Sequence, residues 1–418
     1  MQTVYNICCG IDVHKKLIVT CLVKQKHKEI REYKTTTKSL LELADWLTSS
    51  GCEMVAMEST GSYWKPLYNI LETNDLATIV VNARHMHAVP GRKTDVQDAE
   101  WIADLLQHGL LRASYIPNKA QRELRELVSY RKSLVGEKAR ELNRLQTILE
   151  GAKIKLSGTV RDINGKSARS LLSAIMANEV VDEIILDKMR SNHQIAHNLK
   201  ATDEQLVDDL NGFLTPLQKR ILNEILIHID ELCQHIKNLD DEIDNNMSRD
   251  EQIMAKRVST IPGIAETSSK AIIAVIGTDM SRFPTAHHLS SWAGLCPGNN
   301  ESAGKRHSGK TRQGNSLLKT TLIVCAHSAV RNKNSFFYAQ YKRISSRRGA
   351  KRAFVAVAHS MLIAIYYMLK EDKVFKDLGA DYYHKFNKEH KINSYLKKLR
   401  ELGWEPQVLE PTIAPIAM

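Results

Sequence analysis

Apolar positions along the chain follow two periods, and the change of period divides it. Near the start, "YNICCGIDVH", "LIVTCLVKQ" and "EIREYKTTT" are strand-forming runs separated by the short basic turns "KK" and "KHK", which predicts an antiparallel meander. "SLLELADWLTSSG" then repeats its apolar residues at helical spacing and ends on glycine, "EMVAMES" reads as a strand, and "YWKPLYNILETND" reads as a helix. "LATIVVNA" is a further strand, and "TDVQDAEWIADLLQHG" opens on a threonine cap and closes on glycine. A meander followed by alternating helices and strands predicts an α/β domain with helices on the faces of its sheet, over residues 1–118.

Beyond Pro117 the pattern is helical and charged to about residue 250. Leu222, Ile225, Ile229, Leu232, Ile236, Leu239 and Ile243 step by threes and fours, as in a coiled-coil seam. The earlier run Leu124, Leu127, Val128, Leu134, Val135, Leu142, Leu145 and Leu149 is also amphipathic. The two runs can pair within one chain or between chains, and pairing between chains is favoured, giving a dimer or tetramer. Residues 155–215 carry no strong signal.

From 251 to 372 a mostly helical domain is expected. "VSTIPGIAETSSKAIIAVIG" reads as a helix-hairpin-helix element able to offer backbone N–H groups to a phosphate, or as a plain helical turn. The loop "GLCPGNNESAGKRHSGKTRQGN" and two long helices flanking "YKRISSRRGAKR" follow, then a polar tail over 373–418. The most apolar stretch, "AFVAVAHSMLIAIYYML", is shorter than the usual ~20-residue span and contains His359, so a core helix is expected rather than a membrane anchor.

Composition adds a partner. With 59 Lys and Arg against 47 Asp and Glu, the 418-residue chain carries a formal charge of +12, which favours a polyanion, and nucleic acid is the usual one. The seven cysteines form no C-x-x-C pair, so no structural zinc site or disulfide framework is indicated, and a reducing cytoplasm is expected. No basic stretch precedes the first apolar run, so a signal peptide is not expected.

Four acids fall where a sheet edge can collect them. Asp12 ends the first strand, Glu58 ends "EMVAMES", and Asp95 and Asp98 are three apart in the first turn of a helix, on one face. Assembled carboxylates repel unless cations neutralise them, and hard oxygen ligands suit Mg²⁺ or Mn²⁺. Such a site serves phosphoryl transfer. Each acid also has a structural use, at a helix N-terminus or a turn. The "GID" that opens actin-like ATPases requires a small residue after the aspartate, whereas Val13, His14 and Lys15 follow Asp12.

Taken together, "GIDVHK", "MESTGSYWKPLYNIL", "VNARHMHAVPGRKTDVQDAEWIADLLQHGLL" and "GLCPGNNESAGKR" resemble the DEDD transposases of insertion-sequence family 110. The resemblance implies a ribonuclease-H-like (RuvC-like) domain joined by a coiled coil to a second domain bearing a nucleophilic serine. It implies recombination of donor and target DNA directed by a guide (bridge) RNA from the element. Asp12, Glu58, Asp95 and Asp98 match the family's acids, and the serine falls on Ser302. Glu301 and Ala303 flank it where many relatives have serine and glycine, which leaves Ser308 as runner-up.

On the residues alone, the loop is a phosphate-binding strip in which Lys305, Arg306, His307, Lys310 and Arg312 supply positive charge. The turn residues Lys342, Arg343, Arg347, Arg348, Lys351 and Arg352 form a second basic run. The expected function is a DNA transposase or recombinase working through phosphoserine links. A metal-dependent junction nuclease using only the acids and a non-catalytic nucleic-acid scaffold are the rivals, and a covalent protein–DNA adduct separates them.

Overall fold

The computed structural model describes residues 3–25, 27–59, 61–82, 95–298, 300–302, 305–385 and 388–404. The description is of backbone alone at Asp95, Asn300–Ser302, Lys305–Ser308, His384, Lys385 and residues 389–391. The chain divides into two compact units, Met1–Asn118 and Lys119–Met418.

The first unit is built on a five-stranded sheet. Its strands are β1 (Ile7–Val13), β2 (Leu17–Lys24), β3 (His27–Lys34), β4 (Met54–Glu58) and β5 (Thr78–Val81), in the order β3-β2-β1-β4-β5. β1, β2 and β3 are antiparallel, and β1, β4 and β5 are parallel. Alternation along β1 sends Cys9, Ile11 and Val13 to one face, where α1 (Thr37–Ser49) and α2 (Trp64–Thr73) supply Leu40, Leu43, Leu47, Leu67 and Leu71. Cys8 lies on the other face with Ala99, Ile102, Ala103 and Leu106 of α3 (Asp95–Gln107). Covering both faces explains why β1 and β2 read as nearly continuous apolar runs. β3 is the exposed edge and carries His27, Lys28, Glu29, Arg31 and Glu32, charges that discourage further strand pairing.

Gly10 fixes how closely α3 approaches the sheet. A Cβ there would lie 2.3 Å from the Ala103 nitrogen and 2.4 Å from the Ala99 oxygen, so only glycine lets the helix backbone rest on the strand. The helix runs antiparallel to β1: the Val4 amide donates to the Gln107 carbonyl at 2.8 Å, while Ala99 lies over Gly10. The acidic first turn of α3 therefore points toward the carboxyl end of β1. Thr94, the expected cap, lies outside the described residues.

In the second unit, α4 (Lys119–Gly151) and α9 (Pro216–Asn246) form a long antiparallel pair. The seam expected to join chains is closed within this one: Leu222, Ile225, Ile229, Leu232 and Ile243 are buried, while Ile236 and Leu239 are half-buried. Arg131 donates to Asp240 at 2.9 Å, and His228 sits 3.4 Å from buried Glu141, so polar contacts across the pair match its register. The favoured pairing between chains is corrected on this point. The physical reason is that the intervening segment folds back and brings the two helices together at high local concentration.

That intervening segment, silent in the sequence, is four short helices: α5 (Leu156–Thr159), α6 (Lys166–Met176), α7 (Glu183–Ser191) and α8 (Asp203–Leu210). They pack Leu171, Leu172, Leu186 and Leu206 against Leu145, Leu149, Leu222 and Ile225 at one end of the pair. A capping box at Thr215 and Gln218, with Pro216 in the first turn, starts α9.

At the other end are α10 (Arg249–Val258), α11 (Glu266–Ile276), α12 (Ala286–Trp292), α13 (Ser316–Ala329), α14 (Phe336–Arg348) and α15 (Ala350–Glu371). α15 contributes Val357, Ala358, Met361, Leu362, Ile365, Tyr366 and Met368 to the core they share. It is the one helix, among the described residues, long and apolar enough to cross a membrane, and here α12, α13 and α14 pack on it. The α10–α11 turn holds Gly263 at φ +88°, where a Cβ would lie 2.4 Å from the Ala329 nitrogen. Close packing on α13 thus accounts for that glycine. The polar tail returns to the core: Phe375 stacks on Phe337, and Tyr383 on Phe336.

Candidate active site

The sheet register brings two of the expected acids side by side. In the parallel pair β1–β4, Gly10 faces Ala56 and Ile11 faces Met57, so the next step sets Asp12 beside Glu58. Alternation puts both on the face of Gly10 and Ala56, the face that α3 covers. Asp98 stands in the first turns of α3, one residue before Ala99, which rests on Gly10. Asp95 begins the same helix, and its side chain lies outside the described residues.

Asp12 is only 4% exposed. A carboxylate so placed needs compensation, and the His14 imidazole approaches it, with Nε2 2.9 Å from Oδ2. His14 was not among the expected site residues, although its spacing of two from Asp12 put it on the same face. The donors Asp12, Glu58 and Asp98 are all carboxylates, a set whose chemistry suits a hard divalent cation. Among the described residues, no three His, Cys, Asp or Glu side chains converge closely enough to hold one.

The serine loop folds as a hairpin of β6 (Asn300–Ser302) and β7 (Lys305–Ser308). Ser302 pairs with Lys305 next to the turn, and Ser308 pairs with Asn300 at the base. The side chains of Ser302, Lys305, Arg306, His307 and Ser308 lie outside the described residues, so the backbone register alone locates them. Below them the ladder continues: the Gly298 amide donates to the Lys310 carbonyl at 2.8 Å, and Pro297 bridges to Thr311. Arg312 follows at the foot of the hairpin.

The second basic run spans the α14–α15 junction. Lys342, Arg343, Arg347, Arg348, Lys351 and Arg352 are all exposed, and Gly349, with φ +81°, makes the turn. Arg343 lies 4.7 Å from the ring centre of Tyr383. Lys351 and Arg352 add their charge to the positive end of the α15 dipole, where an anion is stabilised. Lys310, Lys351 and Arg352 line one cleft, so the structure joins one member of the loop cluster to two of the helix cluster.

An acidic sheet edge, and a serine hairpin in a basic stretch of sequence, are chemistry suited to phosphodiesters. A transposase family profile matches residues 9–154, and the profile of the "Transposase IS116/IS110/IS902 family" matches residues 255–342, together more than half of the chain. The chain belongs to the IS110-family transposases, enzymes of DNA recombination. The "Transposase for insertion sequence element IS1111A" of Coxiella burnetii is 24% identical over 375 residues, covering 88% of this chain and 87% of that protein. The "Pilin gene-inverting protein" of Moraxella lacunata is 20% identical over 378 residues, covering 88% and 96%. The "Transposase for insertion sequence element IS1328" of Yersinia enterocolitica is 28% identical over 114 residues, covering 27% and 33%. The two profiles flank the short-helix segment and α9 without covering them.

Proposed function

We propose that this transposase exchanges DNA strands through a phosphoserine intermediate at Ser302, with the acids Asp12, Glu58, Asp95 and Asp98 forming a Mg²⁺- or Mn²⁺-dependent part of the active site. The observation that carries the proposal is the register that sets Asp12 beside Glu58 beneath the acidic first turn of α3. The strand order β3-β2-β1-β4-β5, antiparallel on one side of β1 and parallel on the other, supports a ribonuclease-H-like (RuvC-like) domain.

In this reading the Ser302 hydroxyl oxygen attacks the phosphorus of a phosphodiester. An O–P bond to serine forms as the bond to one deoxyribose oxygen breaks; the serine proton passes to water, and the departing oxygen takes one up. A DNA hydroxyl then attacks the phosphoserine, and the strand is rejoined as serine leaves. Lys305, Arg306, Lys310 and Arg312 bring positive charge to the transferring group. When bound by the four carboxylates, the cation supplies charge that steadies the phosphoryl oxygens. Lys342, Arg343, Arg347, Arg348, Lys351 and Arg352 hold phosphate backbone. A guide RNA of the element and a homo-oligomer, dimer or tetramer, belong to the same reading and rest on the family resemblance.

The test is the adduct. Denatured mixtures of protein, donor and target DNA and the element's RNA should contain protein covalently attached to a DNA end. Ser302→Ala should lose the adduct while keeping DNA binding, and Asp12→Asn should abolish recombination in Mg²⁺ without unfolding the chain. Loss of the adduct in Ser308→Ala alone moves the nucleophile to Ser308. Strand cleavage without any adduct rejects the serine route in favour of a nuclease that uses only the acids.

A further inference from the structure

At the foot of the serine hairpin an open cleft of about 900 Å³ lies between the strand ends and helices α14 and α15. Its mouth is cationic: Lys310, Lys351 and Arg352 line it and are exposed. Its walls are apolar, with Leu295 and Pro297 on the hairpin side and Val355 and Ala356 on α15. Deeper in, Gln340 donates from Nε2 to the Ser360 hydroxyl at 2.8 Å. The other end of that amide, Oε1, is buried and has no hydrogen-bond partner among the described residues.

These features select an occupant. A phosphate satisfies the rim but brings no donor for Oε1, and a buried acceptor left without a donor is costly. Deoxyribose inside a strand has no hydroxyl to donate either. Every nucleobase does carry an N–H, and in a duplex the ring that bears it is stacked between its neighbours, so only a base outside the stack can enter between the walls of the cleft. The amide is held from one end only, so it can turn toward an entering N–H. Apolar walls that receive a flat ring, with charges at the mouth for its phosphate, complete the fit.

We propose that this cleft binds a single unpaired DNA nucleotide beside the scissile phosphate, its base between the hairpin foot and α15 and donating to Gln340, its phosphate at Lys310, Lys351 and Arg352. The inference rests on the reading above in one respect: the hairpin is taken to face the strand it cuts. It adds a nucleotide subsite with named positioning residues, and it requires the strand to be locally unpaired there.

The experiment measures binding without chemistry, by fluorescence anisotropy on the full chain carrying Ser302→Ala. The probes are a paired DNA duplex, the same duplex with one unpaired nucleotide, and that duplex with an abasic residue in its place. The unpaired nucleotide should improve affinity about tenfold, in line with the worth of one stacked base, and the abasic residue should not. Gln340→Met, which keeps size but not the acceptor, and Ala356→Phe, which fills the cleft, should each remove the preference while leaving paired-duplex affinity unchanged. Equal binding of the abasic probe, or a preference that survives Ala356→Phe, overturns the proposal. A preference for an unpaired ribonucleotide in place of the deoxyribonucleotide overturns the assignment to DNA. Adduct formation by the chain with Ser302 intact is scored separately. An adduct without the preference rejects the cleft and leaves the serine route standing, and the preference without an adduct does the reverse.

Discussion

The two units place their candidate reactive groups on opposite kinds of support. In the first, Asp12 and Glu58 sit on neighbouring strands of a sheet covered on both faces, and α3 rests directly on β1 at Gly10. In the second, Ser302 and Ser308 belong to a short hairpin, and the basic residues stand exposed on helix ends. Strands fix carboxylates to within the tolerance of a packed core, which suits groups that must converge on one charge. A hairpin and a helical turn tolerate substitution, which suits groups that meet a long and variable polymer. The first unit should therefore fail by losing its geometry, and the second by losing charge.

The largest expected effect tests that contrast on two glycines. Gly10→Val forces side-chain carbons into the α3 backbone, and overpacking of this kind costs about 1–3 kcal/mol or more. Gly309, beside Ser308, has nothing within 4 Å of where a Cβ would go, and Gly309→Val should stay within about 0.5 kcal/mol. Calorimetry of the full chain should show the first-unit transition lowered by Gly10→Val and unmoved by Gly309→Val. Thiol labelling gives a second readout. Burial pushes the Cys8 thiol up to about 12 and the Cys21 thiol up to about 11, and holds Cys9 well above its usual range. These three should resist labelling at pH 8 in the native chain and become reactive with Gly10→Val. Equal behaviour of the two glycine variants would break the contrast.

The same contrast explains what was legible in the chain. The meander and its following helices were readable because each strand is a long run of one period between turns, and the structure follows them closely from β1 to α3. Asp12 stood out because a charge inside such a run demands a reason. The register joining it to Glu58 was not readable, since strands 40 residues apart announce no pairing. Residues 155–215 were silent because four helices of one to three turns give periodicity too little length to register. The α4–α9 seam was correctly periodic, but periodicity names a buried face and not its partner. His14 was passed over beside Asp12. Gln340 carries no signal in sequence at all, because its unmet acceptor exists only after α14 and α15 have packed.

An intermediate effect concerns charge. Arg347 and Arg348 are exposed at the end of α14, where Arg347 makes a long, exposed bond from Nε to the Arg343 carbonyl at 3.4 Å, so Arg347→Ala with Arg348→Ala should leave the melting temperature nearly unchanged. If the turn holds backbone, DNA affinity should fall for all sequences, and the slope of log affinity against log salt should shrink by roughly one to two units. Lys28 on the edge of the first unit is the control. It is bound to Asp104 at 3.0 Å, so Lys28→Ala should leave the slope unchanged. A slope that moves with Lys28 and not with the arginines would shift the nucleic-acid surface to the sheet edge.

The smallest effect is a pH dependence in the second unit. His359 is half-buried at the cleft and lies 6.3 Å from His287, centre to centre. Burial, then the neighbouring imidazole, lowers its pKa below the usual 6.5. Between that lowered value and 6.5 the unfolded chain binds more protons than the folded one, so stability rises with pH across the window. The contribution is fully present above 6.5 and is lost as pH falls through the folded value. His359→Gln removes this term, so between pH 7 and pH 5 the second-unit transition should drop less in the variant than in the parent chain. A phosphate seated among Lys310, Lys351 and Arg352 would bring negative charge into the cleft that His359 lines and offset the cost of the imidazolium. Bound DNA should therefore flatten the parent's pH dependence toward that of the variant. A pH dependence unaltered by either DNA or His359→Gln would place the titrating group elsewhere in the helical unit and leave the cleft without an acid-sensitive residue.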